Sequence, residues 1–150
     1  MSRGLRHLLG AVAGLAALAP VYYLTEAGAR ALRAGTVAAG PSPTGLGCLL
    51  AVAAIVAMLT AWPPAALACG LPLAAAGTLF ALDATGAIAA AATLPYAGGL
   101  PWTRPGAAPW AEPAEPPGTI AGLTGLYALI GVVLVLSALL PRGRRSILGP

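Results

Sequence analysis

The chain has no lysine, asparagine or glutamine, and it holds one histidine, one phenylalanine and two cysteines. Charge is the scarcest property: 8% of residues are charged and 59% are hydrophobic, against about 25% charged in soluble domains. With a mean hydropathy of +0.87, a water-soluble fold could not cover its own surface. The charges present are eight arginines against four acids, a net charge of +4. The arginines stand in small groups beside apolar runs rather than in a basic stripe interleaved with aromatics, which excludes a nucleic-acid partner. Heavy use of Ala, Gly, Pro and Arg is the composition that a GC-rich bacterial genome produces, so the missing lysine reads as codon bias.

The same scarcity limits chemistry. His7 is the lone histidine, and no acid accompanies it on its side of the chain. Metal centres need clusters of Cys, His or carboxylate, and carboxylate dyads need two acids at one site; neither pattern occurs. Cys48 and Cys69 are not a CxxC pair. In the topology below about 20 Å of helix rise separates them, whereas a disulfide needs Cα atoms within about 7 Å. Both read as small packing residues. No enzyme, cofactor or metal is expected.

What is present is a series of long apolar runs. Crossing the roughly 30 Å hydrocarbon layer takes about 20 residues of helix. Four runs approach that length: residues 8–24, 45–62, 65–82 and 118–140. The first follows Arg3, Arg6 and His7, and with Ala17-Leu18-Ala19 it also matches a cleaved signal peptide; Pro20 directly after that cut disfavours cleavage, so the helix is expected to be retained and kinked at Pro20. Thr44 is the candidate N-cap of the second span, and Pro63-Pro64 ends it. Small pairs at spacing four, Gly10/Gly14, Ala53/Ala57 and Gly118/Gly122, allow close helix approach, within the bundle or in a homo-oligomer.

The expected fold is therefore all-α: a single integral membrane domain, 1–150, forming a four-helix bundle. Arginine excess marks cytoplasmic flanks. Arg3, Arg6, Arg142, Arg144 and Arg145 outweigh Arg30, Arg33 and Arg104, which places both termini in the cytoplasm and the chain in the inner membrane. Residues 25–44 and 83–117 are then outer segments. The first starts as a helical extension of the first span, in which Glu26 and Arg30 are four apart and pair on a solvated face, and it breaks at Pro41 and Pro43. Tyr22, Tyr23 and Trp62 read as interfacial belt residues.

Asp83 is the single charge between residues 65 and 94. A span over 65–82 keeps it at the helix exit. A span beginning at Pro72 would carry it to the bilayer centre, at a cost of roughly 2.5–3.5 kcal/mol. The first register wins, and Asp83 is then placed to cap a surface helix over 84–93. The Pro-rich remainder of that outer segment repeats a short unit, Pro101-Trp102-Thr103-Arg104-Pro105 and Pro109-Trp110-Ala111-Glu112-Pro113. Such a segment favours extended polyproline conformation. Its tryptophans, with Tyr96, would seat it at the lipid headgroups or serve as anchors for a protein partner, with Trp102, Trp110, Arg104 and Glu112 as the contact set.

The function expected from this layout is that of a non-catalytic accessory or scaffold protein of the membrane. The alternative is a subunit of a small transporter or channel with Asp83 as its ion-coupling carboxylate. Four short spans are also found in small multidrug resistance exporters, but those carry a carboxylate in the first span, residues 8–24 have none and Asp83 stands on another helix, so the chain does not resemble them in the residues that matter.

Overall fold

In a computed structural model, the residues described are 3–37, 40, 42–94 and 116–140. Every regular element among them is a helix: α1 (Arg3–Val37), α2 (Pro43–Thr60), α3 (Pro63–Leu82), α4 (Ala84–Ala91), α5 (Thr119–Leu123) and α6 (Leu126–Leu139).

Helix α1 continues beyond Leu24, as the helical extension expected of residues 25–44 requires. It runs through Pro20 and on to Val37, because the stretch after Leu24 is rich in good helix formers, Ala, Leu and Arg, and has no proline before Pro41; its glycines, Gly28 and Gly35, are carried within the helix. Helix α2 is capped by Ser42, whose hydroxyl accepts the Gly45 N–H at 3.3 Å, with Pro43 in the first turn; the cap is thus Ser42 rather than Thr44. Pro63 holds Trp62 extended (φ −123°, ψ 103°) and opens α3, as proline disfavours helix in the residue before it and suits a first turn.

Residues 118–140 do not form one continuous helix. Gly118 (φ 97°) precedes α5, and Gly125 (φ 76°) separates α5 from α6. Both adopt the left-handed conformation that glycine enters without steric penalty.

Helix α3 is central and packs on α1, α2, α4, α5 and α6, most extensively on α6. That contact is a seam of small residues. A Cβ on Gly77 would meet the Ala128 backbone, one on Gly131 the Ala74 backbone, and one on Gly70 the Leu134 Cβ at 2.8 Å. Gly10 and Gly14 likewise bring α1 against Pro64, Ala65 and Ala68. Ala53 and Ala57 face outward. The buried core joins Val21, Val52, Leu73, Tyr127 and Leu134.

The outer surface carries many large apolar side chains. Leu8, Leu50, Met58, Leu71, Leu129 and Leu139 are each more than half exposed, an arrangement suited to lipid and not to water. Three helices, α1, α2 and α3, are long and apolar enough to cross a membrane, and α6 is a shorter apolar helix. The chain has the make-up of a membrane protein.

Candidate functional site

Glu26 is 2% exposed, so the Glu26–Arg30 pair is not on a solvated face. Gly28 packs against Leu49 and Cys48, and Gly45 against Leu32. These contacts set α1 and α2 side by side and put Glu26 level with about residue 50, about 10 Å along α2 from its start. At that depth, among apolar helices, an isolated charge is costly and must find partners.

It finds three. Arg30 Nε donates to Glu26 Oε1 at 2.6 Å. The Ala121 N–H donates to Oε2 at 2.9 Å and the Ile120 N–H to Oε1 at 3.4 Å. The last two are the first-turn amides of α5, which have no partner within the helix and carry partial positive charge. Acid, guanidinium and helix start thus neutralise one another.

The prolines before α5 supply acceptors. Proline has a carbonyl but no N–H, and the carbonyls of Pro116 and Pro117 serve donors from α1. Arg30 Nη2 donates to the Pro116 oxygen at 3.0 Å, and the Tyr22 hydroxyl to the Pro117 oxygen at 2.7 Å. Thr119 Oγ1 also donates to the Pro116 oxygen, at 2.8 Å. Below them the Tyr127 hydroxyl donates to the Tyr22 carbonyl at 3.0 Å, and the rings of Tyr22 and Tyr127 stack with centroids 4.7 Å apart. Thr25 returns its hydroxyl to the Val21 carbonyl at 2.6 Å. Among the described residues no buried side-chain nitrogen or oxygen lacks a partner. Such a closed network rigidifies what it joins: here, α1 and residues 116–121.

Asp83 stands elsewhere. It is exposed, ends α3 and caps α4, its Oδ1 accepting the Gly86 N–H at 2.9 Å. Helix α4 is not a free surface helix, since Ala87 and Ala91 are buried against Phe80. Cys69 is buried and Cys48 half-buried, both as free thiols. Trp62 is 60% exposed, while Tyr22 belongs to the polar cluster. Trp102, Trp110, Arg104 and Glu112 lie outside the described residues, as does Tyr96. Among the described residues no group of three or more His, Cys, Asp or Glu side chains is placed to hold a metal ion.

The cluster left a trace in the sequence. Tyr22, Thr25, Glu26 and Arg30 recur at spacings of three and four, which marks one polar face on a helix following an apolar run. The partners, Pro116, Pro117 and Tyr127, are some ninety to a hundred residues away in sequence, and no local pattern links them. No family model matches the chain, nor does any curated protein or solved structure.

Proposed function

We propose that the protein is a non-catalytic accessory or scaffold protein of the inner membrane, with four spans and both termini in the cytoplasm, that holds its 83–117 segment toward a partner outside. The observation that carries this reading is the anchoring of both ends of that segment. Asp83 and α4 secure the beginning against Phe80, and Tyr22, Glu26 and Arg30 secure Pro116 to Ala121. A segment tied at both ends presents its side chains at lower entropic cost on binding. Helices α5 and α6 together supply the fourth crossing, and the arginine distribution supplies the orientation.

The test is photo-crosslinking from positions 102 and 110 in intact cells, followed by co-purification of a Trp102→Ala/Trp110→Ala variant. A crosslinked protein that is lost in the variant supports the scaffold reading; unchanged co-purification refutes it. A cysteine at position 107, in a Cys48→Ala/Cys69→Ala background, must label with an impermeant maleimide from outside.

One observation favours a transporter or channel subunit: a buried carboxylate facing the start of an interrupted helix is a feature of ion-coupled sites. Glu26 suits that role better than Asp83, which is exposed and engaged as a cap. Proton flux into proteoliposomes that is abolished by Glu26→Gln would support this second reading.

A further inference from the structure

We propose that the cleft between the start of α1 and the α2–α3 turn binds the phosphate headgroup of an anionic phospholipid. The cleft has a volume of about 510 Å³ and is lined by Arg6, His7 and Gly10 of α1 and by Trp62, Pro63 and Pro64 of the turn. Its shape follows from the sequence. Pro63-Pro64 turns the chain sharply, and Gly10 lets α1 approach the turn so closely that a Cβ there would lie 2.9 Å from Pro64 Cγ.

Among the described residues the charge in the cleft has no counterpart. Arg6 and His7 are exposed, and no hydrogen bond or ion pair engages either among the described residues. The acids among those residues, Glu26 and Asp83, lie about 30 Å away along α1 and α3. The rim is apolar: Leu9 is 47% exposed and Trp62 60%. A cationic notch with an outward-facing tryptophan and leucine beside it matches an amphiphile whose phosphate meets the arginine while its acyl chains run along the helices. Basic pockets between spans hold anionic headgroups by this chemistry, and tryptophan is at home at headgroup level. A free anion would use the arginine but would gain nothing from the apolar rim.

The chain has three tryptophans, so a Trp102→Phe/Trp110→Phe variant leaves Trp62 as the sole reporter and removes any dependence on a partner of the outer loop. Its emission is followed in phosphatidylcholine vesicles containing phosphatidylglycerol, with one lipid or the other brominated in its acyl chains. Both leaflets carry the same lipids, so orientation does not matter. The expected result is a relative affinity for phosphatidylglycerol of about fivefold, the factor that one arginine near the surface is worth. The preference should fall to about one in Arg6→Gln, persist in Arg6→Lys, and weaken with added salt in the protein that keeps Arg6. Equal quenching by the two lipids overturns the proposal, as does a preference that is indifferent to salt or to Arg6→Gln. Loss of the preference on adding inorganic phosphate at constant ionic strength would identify a free anion as the ligand and overturn the lipid site.

Discussion

Replacing Glu26 with alanine separates two accounts of the Glu26–Arg30 pair by a wide margin. An exposed pair four apart on a helix contributes about 0.3–0.5 kcal/mol, and its loss would be hard to detect. In the structure the carboxylate is 2% exposed and accepts two short bonds, 2.6 Å from Arg30 and 2.9 Å from Ala121. Hydrogen bonds to a charged group contribute about 1.5–3 kcal/mol each, and breaking a buried pair costs about 3–5 kcal/mol because the other charge is stranded. The Arg30 side chain keeps 17% exposure, so water recovers part of its solvation and the lower end, about 3 kcal/mol, is expected. The assay is reversible unfolding in a fixed detergent mixture, read by helical circular dichroism. Glu26→Gln should fall between wild type and Glu26→Ala, since its amide oxygen still serves the Ala121 N–H but offers no charge to Arg30. In Glu26→Ala/Arg30→Ala no guanidinium is left stranded, so the double variant should cost less than the sum of the single ones by about 1 kcal/mol or more. A loss of 0.5 kcal/mol or less for Glu26→Ala, or strict additivity, would refute the buried network.

Other expectations follow from the packing and the caps. Gly131→Ala places a methyl group on the Ala74 backbone and should cost about 1–3 kcal/mol by prising α3 from α6, whereas Gly47→Ala, with nothing within 4 Å, should be neutral or stabilising by up to about 1 kcal/mol; the same unfolding assay compares them. Asp83→Ala should cost about 0.5–2 kcal/mol, confined to faster amide exchange in α4, while Asp83→Asn keeps the cap and changes little. Tyr22→Phe removes the bond to Pro117 and should cost about 1 kcal/mol, with increased proteolysis near residue 116 as its local signature. Maleimide should reach Cys69, which is fully buried, only after denaturation.

The class of molecule was legible in the sequence, and so were most helix boundaries. Composition alone excludes a water-soluble globule, because surface needs charge and there is almost none. Pro63-Pro64 and Asp83 punctuate the chain through local chemistry, a missing N–H in one case and a capping oxygen in the other, and local chemistry is visible in a window of a few residues. The helical extension beyond Leu24 was legible in the same way: hydropathy reports where lipid-like residues stop, whereas helix propensity lets the backbone continue to Val37, short of Pro41.

What only the tertiary structure decided is which residues from distant parts of the chain meet. Glu26 looks solvated beside Arg30 in sequence because the neighbours that bury it arrive from residues 116–121. The Gly70, Gly77 and Gly131 seam is one more alanine- and glycine-rich stretch until α3 and α6 are laid together. Arg6, His7 and Trp62 join in one cleft only when the α2–α3 turn folds back onto the start of α1. Burial and pairing are properties of juxtaposition, set by helix packing across long separations, and a linear pattern carries the demand for a partner without naming it.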